Sequence, residues 1–243
     1  MISFIVPARN EEKYIEASLR SIFNQAIDEP YEVIVVDNSS TDRTVEVVQN
    51  QFPKAQVFHE STLGINATRH KGFIESKGDI LIYVDADTHL PPDWTKQAIS
   101  ILRSSEKIVA VSGPYRYYDL YSKFYQRLLY LAEVYVFLSA WLSDRLFHWN
   151  TILRAGDMAI KRKTLLAIGG FDPQFKFYRE DVDAAKKLLK HGRVLFVWSL
   201  WVDTSARRFK KAGVIRQMWN YFFQHWMGIL SGKPRKEEVD EPR

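Results

Sequence analysis

The chain predicts an α/β fold: a mostly parallel central sheet with helices on both faces, followed by C-terminal amphipathic helices. Three observations predict it. Short apolar, β-branched runs alternate with segments whose apolar residues recur at helical spacing. The links between them are short, as in parallel sheets wound with crossover helices. Three of the runs end in polar clusters, Pro7-Ala8-Arg9-Asn10-Glu11, Asp37-Asn38 and Asp85-Ala86-Asp87. In open parallel sheets ligands bind outside the carboxyl ends of the strands, so these clusters are expected to meet in one crevice.

Ile2 to Val6 reads as a first buried strand, stopped by Pro7. Asn10 is placed to cap the next helix, with Glu11 and Glu12 in its first turn and Ile15, Leu19 and Ile22 on its apolar side. Val33 to Val36 forms a second strand ending at Asp37, and Thr41 is expected to cap a helix bearing Val45 and Val48. Gln56 to Phe58 is a short third strand. Leu63-Gly64 opens a helix to about residue 76, which Gly78 terminates. Ile80 to Val84 then has the length and composition of a strand buried on both faces. It runs directly into Asp85-Ala86-Asp87.

The second half is richer in aromatic residues. After a strand at Val109 to Ser112, residues 117–146 read as one long helix. Leu120, Phe124, Leu128, Leu131, Tyr135, Leu138 and Leu142 lie near one face, which Tyr130, Val134, Phe137 and Trp141 widen. Such a face suits packing on the sheet, a homodimer seam or a bilayer interface. Glu180-Asp181 opens a helix through Ala184 and Leu188. Residues 212–230 bring Val214, Ile215, Met218, Trp219, Phe222, Phe223, Trp226, Ile229 and Leu230 beside Arg207, Arg208, Lys210, Lys211 and Arg216. Aromatic bulk next to basic charge suits an anionic membrane surface, core packing being the alternative. The expected organisation is one domain over 1–211, divided into 1–113 and 114–211, with a helix and charged tail over 212–243.

At 46% apolar residues the chain can bury a sizeable core. It has no cysteine, which removes disulfides and thiolate metal sites and fits a reducing compartment. The first residues lack the basic region of a signal peptide. The longest greasy stretch, Leu128 to Leu142, is too short to span a bilayer and carries Glu133. The expected location is therefore cytoplasmic, free or peripheral on the inner face of the membrane. A net charge of +5 permits anionic nucleotides or lipids and does not announce nucleic acid.

Two carboxylates one small residue apart at the end of a buried strand can hold Mg²⁺ or Mn²⁺ beside a phosphate, because hard cations take oxygen ligands. No G-x-G-x-x-G follows the first strand and no G-x-x-x-x-G-K-[ST] occurs, so phosphate charge must be met in another way.

On these residues the chain resembles the nucleotide-sugar half of family 2 glycosyltransferases, which have the GT-A fold. The matching segments are Ile5-Val6-Pro7-Ala8-Arg9-Asn10-Glu11-Glu12, Val36-Asp37-Asn38-Ser39-Ser40-Thr41-Asp42, Gly64-Ile65-Asn66-Ala67-Thr68-Arg69 and Val84-Asp85-Ala86-Asp87. Ile168-Gly169-Gly170-Phe171-Asp172 and Glu180-Asp181-Val182-Asp183 are similar to the family's acceptor-side segments. The resemblance implies inverting transfer from a nucleotide-diphosphate sugar, UDP-linked by expectation, to a glycan or lipid-linked acceptor. It implies that Pro7, Ala8, Arg9 and Glu11 line the nucleobase and ribose pocket, that Asp37 meets the base, and that Arg69 meets the nucleotide's polar edge or phosphates. Asp85, beside Ala86, would reach ribose or metal-bound water, Asp87 would ligate Mn²⁺ or Mg²⁺, and Asp181, beside Glu180, would be the catalytic base. Arg207 and Arg208 are candidates to assist the leaving phosphate. Two positions depart from the family's pattern. Asn38 stands where many relatives have an acid, and no histidine follows the last strand, leaving Asp203 or water as the further metal ligand. With no Q-x-x-R-W motif, a processive synthase is not expected. A nucleotidyltransferase would need glycine in the loop after the first strand, where there is none. A non-catalytic nucleotide-binding or membrane-scaffolding protein is the third alternative.

Overall fold

The computed structural model describes residues 1–148, 150, 152–173 and 180–231; the expected charged tail from Lys233 onward, and the side chains of Phe222, Trp226, Ile229 and Leu230, lie outside what it describes. Strand β1 (Ile2–Ala8) is buried along its whole length and is the line from which the sheet grows. It pairs in parallel with β2 (Tyr31–Asp37), from Ile2 opposite Tyr31 to Ala8 opposite Asp37, and with β4 (Ile80–Val84) at Ile2 to Ile5. Outside β2 lies β3 (Ala55–His59). Beyond β4 comes the antiparallel β8 (Asp157–Lys161), then β6 (Ile108–Ser112) and β9 (Arg193–Phe196). Among the described residues the order is β3-β2-β1-β4-β8-β6-β9, with β8 and β9 from the second half in the same sheet as β1 to β4.

Alternation along β1 divides the core in two. Ile2, Phe4 and Val6 face α1 (Ile15–Phe23), α2 (Thr44–Gln51) and α4 (Trp94–Arg103), packing with Leu19, Val48 and Trp94. Ile5 faces α3 (Ile65–Glu75), α6 (Arg162–Ala167) and α7 (Glu180–Leu189), packing with Phe73, Leu165 and Leu188. All five residues of β4 are buried, as a central strand covered on both sides requires. A second sheet, absent from the sequence expectations, joins β5 (Thr88–His89), β10 (Val202–Thr204) and β7 (Tyr115–Tyr117). Helix α5 (Lys123–Phe147), α8 (Arg207–Ala212) and α9 (Val214–Ser231) meet around Leu120, Leu129, Phe209 and Val214.

Several local expectations change. Pro7 does not stop β1; at its level β1 pairs with β2 alone, and proline is tolerated where a ladder is one-sided. Asn10 is not a helix cap. It takes a left-handed backbone (φ 54°) and ties two loops together, its side-chain oxygen accepting from the Thr41 N–H at 2.8 Å and its N–H donating to Ser40 Oγ at 2.9 Å. Helix α2 starts at Thr44 rather than at Thr41, because Asp42 accepts the Thr44 N–H at 3.0 Å. Extended backbone at Ser76 ends α3. Gly78 serves close approach instead: a Cβ there would lie 2.6 Å from the Ser3 backbone nitrogen. The long helix begins at Lys123, since Tyr115–Tyr117 is drawn into the small sheet.

The largest difference concerns α5. Leu131, Tyr135, Leu138 and Leu142, from the face expected to seek cover, are exposed, whereas Leu129, Glu133 and Ala140 point inward. The inward side is narrow and partly polar, and the broad apolar side meets solvent.

Candidate active site

The carboxyl ends of β1, β2 and β4 lie side by side, so backbone pairing alone gathers the three polar clusters. Ala8 is opposite Asp37, and the Asn38 N–H donates to the Ala8 carbonyl at 2.8 Å. Pro7 and Ala8 are buried and Arg9 is half-buried. Asp37, also buried, accepts the Ser40 N–H at 3.2 Å and lies 3.4 Å from His59 Nδ1. Asn38 is buried and spends its side chain on its own loop. Its amide donates to the Glu60 and Thr62 carbonyls at 2.8 and 2.9 Å and accepts the Gly64 N–H at 3.0 Å. A carboxylate could not make those two donations, so the departure from the family's acid goes with the way this loop is held.

Arg69 joins two distant parts of the chain. One guanidinium nitrogen lies 3.4 Å from Asp85 Oδ1, and another lies 3.8 Å from Asp181 Oδ1. Asp181 sits in the first turn of α7, and Asp85 follows β4 directly. Both carboxylates retain solvent contact, with side chains 35% and 28% exposed, while the Arg69 side chain is 4% exposed. Arg69 therefore works from beneath, holding two acids at the crevice floor. Phe171, from the segment before α7, packs edge-on against Tyr83 of β4 and anchors this side of the site. The side chain of Glu180 lies outside the described residues.

A second cluster lies at the neighbouring edge. Arg207, at the start of α8, grips both oxygens of Glu11 at 2.6 Å and places Nε 3.0 Å from Asp87 Oδ2. The Tyr14 ring lies under the same guanidinium at 4.8 Å. Glu11, expected to line the nucleoside pocket and to sit in the first turn of a helix, precedes α1 and has both carboxylate oxygens bonded to a cation 196 residues away in sequence. Burial pushes the Asp87 carboxyl up to about 6; Arg207 opposes this shift, and Asp85 and Glu11 add to it. Burial disfavours charge on Arg208, yet Tyr221, Asp87 and Asp85 hold it above the ordinary arginine range. An open cleft of about 380 Å³, bordered by Asn10, Glu12, Tyr14 and Arg207, adjoins the cluster.

The donors suit a hard divalent cation. Asp85 and Asp87, with Ala86 buried between them, present oxygens at the end of β4. Among the described residues no group of three His, Cys, Asp or Glu side chains forms a ready-made metal cage. Mg²⁺ and Mn²⁺ do not need one, since they commonly take one or two carboxylates and complete their shell with phosphate oxygens and water. Asp203 is committed elsewhere. It binds Arg116 at 2.7 Å, and that guanidinium stacks 3.9 Å over the Trp201 ring.

Sequence reasoning missed the residues on which Asp85 rests. The Asp85 N–H donates to the Gly156 carbonyl at 3.2 Å. A Cβ on Gly156 would fall 2.6 Å from Asp85 Oδ2 and 2.7 Å from the Tyr115 hydroxyl. Next along β8, Asp157 is fully buried, accepts the Gly113 N–H at 2.9 Å and leaves Oδ1 without a hydrogen-bond partner. Burial raises its carboxyl well above the usual range. Arg154 pairs with Glu133 of α5 at 2.8 Å and lies 4.8 Å over the Tyr115 ring. The available signal was Arg154 and Asp157 flanking Ala155-Gly156 before an apolar run, charged residues where a buried strand needs none.

Comparison with known proteins agrees with this geometry. A model of glycosyl transferase family 2 matches residues 3–184. An uncharacterized glycosyltransferase of Haemophilus influenzae is 27% identical over 196 residues, covering 78% of this chain and 62% of that protein. A dolichyl N-acetyl-alpha-D-glucosaminyl phosphate 3-beta-D-2,3-diacetamido-2,3-dideoxy-beta-D-glucuronosyltransferase of Methanococcus voltae is 27% identical over 229 residues, 86% of this chain and 70% of that one. The chain spans 29% to 62% of the length of the first curated relatives it matches. Among solved structures, the Pyrobaculum calidifontis mannosyltransferase PcManGT in complex with GDP-Man and Mn²⁺ superposes with a TM-score of 0.70 at 22% identity, covering 96% of this chain and 65% of that one. TarS 1–349 of S. aureus in complex with UDP-GlcNAc gives 0.63 at 20% identity, covering 84% and 58%. These likenesses establish a shared GT-A fold.

Proposed function

The chain belongs to glycosyl transferase family 2, and on that premise we propose that it moves a sugar from a nucleotide-diphosphate donor, UDP-linked, to a hydroxyl of a lipid-linked or membrane-proximal glycan. The observation that carries this reading is the meeting of Asp181 and Asp85 on Arg69, with Asp87 on the other side of the same strand end. The reaction needs a base toward the acceptor and carboxylates toward the diphosphate on either side of one sugar, and the proximity of Asp181 to Asp85 through Arg69 supports that reading. The acceptor class is supported by the Methanococcus voltae relative, which by its name acts on a dolichyl-linked sugar phosphate. Residues 1–113 then serve the donor, 114–211 the acceptor, and the reaction takes place at the cytoplasmic side of the membrane.

In this mechanism Pro7, Ala8, Arg9 and Asp37 border the nucleoside. Asp181 removes the proton from the acceptor hydroxyl as its oxygen attacks the anomeric carbon. The bond from that carbon to the diphosphate oxygen breaks on the opposite side, which inverts the centre. Asp87 and Asp85 would hold Mn²⁺ or Mg²⁺, which when bound supplies charge neutralisation for the departing diphosphate. Arg207 and Arg208 stand beside those carboxylates, and guanidinium geometry matches phosphate oxygens.

Asp181→Asn tests the reading. Release of nucleotide diphosphate in the presence of acceptor should fall by roughly 10²-fold or more, the usual contribution of a positioned base. Donor affinity measured by calorimetry should be unchanged. Near-normal turnover would remove Asp181 from the mechanism.

A further inference from the structure

Helix α5 presents a long exposed apolar surface. Phe124, Leu131, Tyr135, Leu138, Leu142 and Leu146 follow at intervals of seven, four, three, four and four residues, so the helical turn stacks them in one stripe. Each is between 49% and 69% exposed. At 1.5 Å per residue the stripe runs roughly 33 Å, far longer than the scattered apolar side chains of an ordinary surface. Tyr130 and Trp141 border it, both more than half exposed.

Charge is sorted around this stripe. The two acids of α5 turn inward, Glu133 to Arg154 at 2.8 Å and Asp144 to Arg193 at 2.5 Å. The cations Lys123, Arg127 and Arg145 stay exposed. Among the described residues, the outward face is thus apolar and aromatic with positive charge and no carboxylate. A second copy laid against it would bring cations together without counter-charge. None of the described helices is long and apolar enough to cross a membrane. At the start of α9, Ile215, Trp219 and Phe223 repeat the pattern at intervals of four, with Arg216 exposed beside them.

We propose that α5 lies along the surface of an anionic phospholipid bilayer. The stripe enters the boundary between headgroups and acyl chains, and Lys123, Arg127 and Arg145 meet lipid phosphates. Tyr130 and Trp141 belong at that depth, where amphipathic rings concentrate. This attachment does not depend on the transfer reaction, and its test does not use it.

The chain has no cysteine, so a single one can be introduced and labelled. Leu138→Cys carrying an environment-sensitive nitrobenzoxadiazole is mixed with vesicles of phosphatidylcholine alone, or of equal parts phosphatidylcholine and phosphatidylglycerol. The protein should float with the mixed vesicles, with a blue shift and brightening at residue 138 and no change when the label is at Lys96→Cys on α4. Arg127→Gln with Arg145→Gln should weaken this binding roughly 30-fold, since each basic residue near such a surface contributes about 1 kcal/mol. Leu138→Glu with Leu142→Glu, at exposed positions that leave the core intact, should abolish flotation while circular dichroism is unchanged. Equal binding to both vesicle types, or binding unaffected by both double variants, would overturn the proposal. So would a dimer in sedimentation velocity that Leu138→Glu splits, with no vesicle binding.

Discussion

Replacing Arg207 with methionine removes the cation that holds both oxygens of Glu11 and reaches Asp87 from the start of α8. The guanidinium grips Glu11 at 2.6 Å through two bonds and reaches Asp87 at 3.0 Å. The two acid side chains are 7% and 12% exposed, so neither can turn to water when the cation is lost. Breaking a buried pair from one side costs about 3–5 kcal/mol. Arg207 itself keeps 22% of its exposure, so water already screens part of the interaction and the low end, about 3 kcal/mol, applies. For a chain of this length about 1 kcal/mol moves the midpoint by roughly 2–4 °C, which places the fall in Tm near 6–12 °C. Urea unfolding followed by tryptophan fluorescence, on Glu11→Gln, Arg207→Met and the double variant, isolates the interaction. The double variant should lose at least about 1.5 kcal/mol less than the sum of the singles, as contacting residues do. Additivity within about 0.5 kcal/mol would refute the reasoning, because it would mean that the two side chains do not meet in solution.

Asp119 gives a pH prediction. Burial raises its carboxyl, but the Ala206 N–H at 2.6 Å, Lys210 and Ser205 outweigh burial and hold it below the usual range. Its stabilising effect is fully present above the unfolded value near 3.9 and is lost as pH falls through the lower folded value. Asp119→Asn should therefore flatten the urea midpoint across that acid window; an unchanged profile would show that α8 is not tethered there. Gly156→Ala should push the Asp85 carboxylate and Tyr115 hydroxyl from their places, raising the donor KM several-fold while costing about 1–3 kcal/mol by overpacking. Unaltered donor binding would mean that Asp85 does not touch the donor. Asp87→Ala should abolish the part of UDP affinity that depends on Mn²⁺, measured by titration with and without chelator. Equal UDP affinity in both would move the metal to other ligands.

The polar crevice at the strand ends was legible because parallel pairing makes it nearly inevitable. Once Ile2–Ala8, Tyr31–Asp37 and Ile80–Val84 are read as neighbouring strands, whatever follows them must share one edge. Asp181 could be placed there only through the family's likeness, since no local pattern links the first turn of a late helix to the end of β4. The small second sheet was not legible at all. Its strands are two or three residues long, too short to show period, and β10 finds its partners 87 positions back at β7 and 114 or more back at β5.

By itself, then, the amino-acid sequence determined the alternation of strand and helix, the buried central strand and the carboxylates at its end. Those properties follow from residue type and spacing along the chain. Tertiary structure alone decided which charges meet: Glu11 with Arg207, Asp85 with Asp181 through Arg69, and Asp203 with Arg116. It also decided which side of α5 faces the protein. Periodicity reveals that a helix has an apolar stripe, but whether that stripe is covered depends on what packs beside it. Here Arg154 and Arg193 draw Glu133 and Asp144 inward and turn the greasy side out.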